Sequence, residues 1–83
     1  MNNIFKTSKS VALSMDSFFD KIDLGTLNFK KGVQNYLDGN SVEFLQNLNA
    51  ITNLENEADT IQRKIENDFY LHSLMPNFAS DIL

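Results

Sequence analysis

Residues 53–83, NLENEADTIQRKIENDFYLHSLMPNFASDIL, carry the longest helical pattern of the chain and its one proline. Ile51, Leu54, Ala58, Ile61, Ile65, Phe69 and His72 recur at steps of three or four, the spacing of an apolar seam on a helix laid along a partner helix. Beside that seam stand Glu55 and Asp59, four residues apart, so their carboxylates lie one turn from each other on one side of the helix. A cation could bridge them. The pair also suits a solvated helix face, because Arg63 follows Asp59 by four residues, and an exposed pair of that kind is worth only about 0.3–0.5 kcal/mol.

Working back toward the N-terminus, Asp38-Gly39-Asn40-Ser41-Val42-Glu43 forms the clearest boundary. Gly39 suits the left-handed position just past a helix C-terminus, Asn40 is a good N-cap, and Glu43 three residues on makes a near capping box. So short a break between two helices forces an antiparallel hairpin. The expected helices are residues 8–38 and 41–73, after a loose arm over 1–7. Pro76 ends the second helix, since the residue before a proline avoids helical backbone. Residues 77–83 read as the start of a third helix.

The first helix carries two apolar bands. Val11, Met15, Phe18, Ile22, Gly25, Phe29 and Tyr36 make one stripe, expected to face the second helix. A second band, with Leu13, Phe19, Leu24, Leu27 and Leu37, lies at another angle. One neighbouring helix cannot cover both. Gly25 and Gly32 each cost about 1 kcal/mol of helix propensity relative to alanine, a cost that is bearable where a backbone comes close; Gly25 is the expected place. Folding the chain about the turn sets Asp20 level with Asp59 to within about one turn, which makes Asp20 a third candidate carboxylate if the faces agree.

Composition narrows the class. The chain has 83 residues, no cysteine, three glycines and an apolar fraction of 42%. Few β-branched runs and few turn residues argue for an all-α chain of one small domain. Without cysteine there is neither a disulfide framework nor a thiolate metal site, and a reducing cytoplasm is the expected compartment. Eleven acidic side chains against seven basic ones give a net charge of −4, which disfavours binding to nucleic-acid backbones. The serines have no base in a nucleophile motif and there is no phosphate-cradling glycine loop, so no enzyme is expected. His72 has no second histidine or cysteine with which to form a metal set.

The run L-E-N-E-A-D-T-I-Q-R-K-I-E, followed by F-Y-L-H-S-L-M-P and S-D-I-L, with Y-L-D-G-N-S-V-E-F at the turn, resembles the PhoU-like proteins. It looks most like the branch associated with Pit-type inorganic phosphate transporters. The resemblance implies an all-helical fold of three-helix units and a role as accessory or regulator of phosphate transport. It implies a transporter as partner, at the inner face of the membrane. It also implies a metal ion (iron, zinc or magnesium) held through E(D)-x-x-x-D motifs. On this chain that motif matches Glu55 and Asp59, and Asp81 matches the acidic residue after the family's proline turn. The other readings are a structural helical module that oligomerises with no metal or phosphate role and, more remotely, a metal-dependent hydrolase.

One expectation concerns assembly. A lone hairpin leaves Leu13, Phe19, Leu24 and Leu27 in water, and each such side chain gains about 1.5–3 kcal/mol on full burial. A second copy is expected to cover them, as a dimer built on a four-helix bundle.

Overall fold

The computed structural model describes the backbone of residues 2–74 and the side chains of residues 8–71. Two helices, α1 (Asn2–Leu37) and α2 (Ser41–Leu74), form an antiparallel hairpin whose Cα atoms extend over 60 × 15 × 13 Å. The all-α hairpin expected from the sequence is the observed architecture, and no strand occurs among the described residues. α1 begins earlier than expected, because residues 2–7, read as an arm, continue the helix. Pro76 and residues 77–83, including Asp81, lie outside the described residues.

The turn forms as its residues require. Gly39 has φ = 76°, in the left-handed region. The Asn40 N–H donates to the Asn35 carbonyl (2.8 Å) and the Gly39 N–H to the Tyr36 carbonyl (3.2 Å). This pair of bonds is a Schellman cap, and it satisfies carbonyls that the helix end would otherwise leave open. The Asn40 carbonyl accepts the first bond of α2 from the Phe44 N–H (2.9 Å), which makes Asn40 the N-cap. Glu43 falls in the first turn of α2, where its charge suits the positive helix end.

The two helices meet along seams with a seven-residue period. On α2, Phe44, Asn47, Ile51, Leu54, Ala58, Ile61, Ile65 and Asp68 are buried or half-buried, at alternating steps of three and four. That is the expected seam through Ile65, after which Asp68 rather than Phe69 turns inward. On α1 the matching positions are Val11, Ser14, Phe18, Lys21, Gly25, Asn28, Gly32 and Asn35. The expected α1 stripe is therefore split. Val11, Phe18 and Gly25 face α2, while Met15, Ile22, Phe29 and Tyr36 lie exposed at its edge.

Small and polar residues on the α1 seam leave little to bury. Among the described side chains, Val11 and Ala58 are the buried apolar ones, each 7% exposed, and no large side chain is fully enclosed. Close approach occurs at Gly32, where an added Cβ would stand 3.3 Å from the Asn47 Cβ; at Gly25 it would meet nothing within 4 Å. The close-contact role expected of Gly25 thus belongs to Gly32.

What the seam lacks in apolar volume it replaces with an asparagine ladder. Asn40 Nδ2 donates to Asn35 Oδ1 (3.3 Å), Asn35 Nδ2 to Asn47 Oδ1 (2.7 Å), and Asn47 Nδ2 to Asn28 Oδ1 (3.3 Å). Asn47 is buried, and both ends of its amide are satisfied. At the far end, Lys64 Nζ donates to Ser10 Oγ (3.1 Å), Ser14 Oγ (3.2 Å) and Asp68 Oδ2 (3.3 Å). Midway, Lys21 crosses to Glu57 at 2.7 Å.

Candidate functional site

The seams fix where the remaining side chains go. On one flank of the hairpin, α1 presents Ile22 and Phe29 and α2 presents Leu54 and Ala58 along a shallow groove, with Glu55, Asp59 and Gln62 on the α2 rim. Toward the turn the groove continues between Val33 and Tyr36 of α1 and Phe44 and Leu48 of α2. The Tyr36 and Phe44 rings sit 5.4 Å apart, tilted by 54°. On the other flank lie Leu13, Leu24 and Leu27, all exposed. The outward face of α2 is polar along its middle, through Asn49, Asn53, Asn56, Thr60 and Arg63.

Glu55 and Asp59 stand as their spacing requires, one turn apart on the rim of the groove. Asp59 is held by Arg63 at 2.7 Å, with both side chains largely exposed. Asp20 is exposed and does not line this groove. It shares the Leu13, Leu24 and Leu27 side of α1, at steps of four and seven residues, and so lies on the opposite flank from Glu55 and Asp59. The level assigned to it is sound, since Lys21 reaches Glu57 and Gly32 meets Asn47 at the heights expected. The rotation of α1 sends Asp20 the wrong way. Among the described residues, no three histidine, aspartate or glutamate side chains come close enough to hold one metal ion.

Chemically, the groove offers an apolar floor with one acidic wall. Lys21 is its basic counterpart, but its ammonium is engaged by Glu57. Lys64 has a similar part on the other flank, where its N–H donors go to two serine hydroxyls and a carboxylate. Lys21 ties α1 to α2, and Lys64 ties α2 to α1 as well as to its own Asp68. An apolar groove between two helices has the shape into which an amphipathic helix can lie.

The sequence reading missed Asn28, Asn35, Asn47, Lys21 and Lys64 as cross-helix contacts. The signal that would have found them is the seven-residue period of α2 itself: the α1 positions that match it are 11, 14, 18, 21, 25, 28, 32 and 35, whatever their polarity.

No protein-family model matches this chain, and neither a curated protein nor a solved structure gives a significant match. Among the described residues, no helix is long and apolar enough to cross a membrane.

Proposed function

We propose that this hairpin is an accessory or regulatory element of inorganic phosphate transport, PhoU-like in kind, acting by binding other proteins rather than by catalysis. The observation that carries its binding character is the thin core: a hairpin with Val11 and Ala58 as the buried apolar side chains among those described, and with two exposed apolar flanks, is suited to associate. The phosphate-transport part rests on the resemblance of the Glu55–Asp59 run and the turn, and the helical hairpin supports it because the family is all-helical. Its place would be the cytoplasmic face of the membrane, on a transporter.

A metal ion enters this reading through Glu55 and Asp59, with Asp81 as the further family position. Hard cations take about six oxygens, so other chains or water would supply the rest. Radiolabelled orthophosphate uptake, measured in cells with the gene deleted and restored, tests the regulatory part; uptake that does not change refutes it. Metal content of the purified protein and of the Glu55→Ala, Asp59→Ala double variant tests the ion, with equal content in both refuting the site.

The second reading is a structural helical module that oligomerises and has no metal or phosphate role. The Arg63–Asp59 pair favours it, since an exposed intrahelical ion pair of this kind is ordinary surface chemistry. Unchanged phosphate uptake together with intact self-association would select it.

A further inference from the structure

We propose that one face of α1 docks onto the same face of a second copy of this chain, antiparallel. Its apolar members are Met15, Phe19, Ile22, Phe29, Val33 and Tyr36, all exposed. Ala12 and Thr26 complete the stripe, which then repeats at steps of three and four from residue 12 to residue 36. This is the same period as the seam that α1 turns to α2, displaced by about a quarter turn, at about 100° per residue. A helix with two such seams sits at a corner and has a neighbour on each side, as in a four-helix bundle. α2 is one neighbour, and no other described residue covers the second seam.

The occupant follows from the chain itself. At the corresponding positions α2 carries Leu45, Leu48, Thr52, Glu55, Asp59, Gln62, Glu66 and Phe69, apolar at its two ends but polar through the five positions between, so it is a poorer match than α1. The stripe that matches the α1 stripe is its own copy. Antiparallel pairing, centred near residue 24, sets Tyr36 against Ala12 of the second copy, Met15 against Val33, Phe19 against Phe29, and Ile22 against Thr26. Large residues then meet smaller ones at three of the four layers. The same pairing brings Asp16 of each copy toward Lys30 of the other and Asp23 toward Asp23, two opposite-charge contacts against one like-charge contact, whereas parallel pairing would set Asp16, Asp23 and Lys30 each against itself.

The stripe is about 37 Å long at about 1.5 Å per residue, and the hairpin is 15 Å across. A hairpin face of that length and width covers roughly 550 Å², near the lower end of the about 600–1,000 Å² per partner found in stable complexes. This inference rests on the reading of the hairpin as an association module and names the partner and the face.

The test uses the absence of cysteine from the chain. In the Met15→Cys, Val33→Cys double variant the two thiols stand too far apart on one helix to join within a molecule, at about 27 Å. Oxidation should therefore give a covalent dimer. Linkage by Ile22→Cys with Val33→Cys and not by the first pair would overturn this register in favour of one shifted by a heptad. In sedimentation, Phe19→Glu with Ile22→Glu should dissociate the protein, while Leu24→Glu with Leu27→Glu, on the opposite flank, should leave the dimer intact. The reverse pattern overturns the assignment of the face but keeps the association reading. A folded wild-type monomer at micromolar concentration overturns both. The cross-linking arm does not depend on whether the glutamate variants fold.

Discussion

Gly25 and Gly32 occupy equivalent places on the α1 seam, one heptad apart, yet alanine should act on them in opposite directions. Either substitution gains about 1 kcal/mol of helix propensity. At Gly25 the new methyl meets nothing within 4 Å, so the gain should appear in full. At Gly32 it arrives 3.3 Å from the Asn47 Cβ and has to push Asn47 aside by a few tenths of an ångström. Asn47 is poorly placed to yield, because Asn35 holds one end of its amide at 2.7 Å and Asn28 the other at 3.3 Å. Losing the longer bond costs about 0.5–1.5 kcal/mol, and overpacking a further 1–3 kcal/mol or so. Gly32→Ala should therefore be about 0.5–3.5 kcal/mol destabilising, and the two variants should differ by about 1.5–4.5 kcal/mol. In a domain of this size that separates the unfolding midpoints by on the order of 10 °C or more. Far-UV circular dichroism at one fixed protein concentration measures it. Equal stabilisation by both alanines would refute the close contact between Gly32 and Asn47.

Three further outcomes are expected. Gly39→Ala forces a side chain into backbone at φ = 76° and should cost about 1 kcal/mol, read as a lower urea midpoint with unchanged slope. Asn47→Ala strips the ladder of its buried member and should cost about 1–2 kcal/mol; an unaltered midpoint would mean that the ladder adds nothing to stability. Arg63→Ala breaks only an exposed pair with Asp59 and should change stability by no more than about 0.5 kcal/mol, so a loss above about 1 kcal/mol would show that the pair has a structural part.

The turn was legible because its chemistry is local. Gly39, Asn40 and Glu43 act within a few residues of one another, and no distant contact is needed to place them. The α2 seam was legible for a related reason: Ile51, Leu54, Ala58, Ile61 and Ile65 are all apolar, so hydropathy and geometry agree. On α1 they disagree. Its contact positions include Ser14, Lys21, Asn28 and Asn35, which a search for apolar stripes passes over in favour of Met15, Ile22, Phe29 and Tyr36 beside them. Asp20 likewise had an expected height but no expected rotation, and the structure turns it to the other flank. The length of a hairpin turn sets which residues share a height, but rotation about the helix axis is set by side-chain fit. The choice between Gly25 and Gly32 was beyond sequence for the same reason, since it depends on Asn47 lying opposite one and not the other.

The asparagine ladder also dictates the order in which the hairpin closes. Its bonds join residues 5, 12 and 19 positions apart, whereas the bonds from Lys64 to Ser14 and Ser10 span 50 and 54. Each doubling of loop length adds about 0.6 kcal/mol of closure entropy, so contacts beside the turn form at lower entropic cost than those at the open end. The Schellman cap and the ladder are thus the natural starting point for zipping, and the helices pair outward from it toward Val11 and Ile65. Opening should run in reverse, from the Lys64 end. Native-state hydrogen exchange would follow this gradient, with the slowest amides around Asn35 and Asn47 and the fastest beyond Ser10.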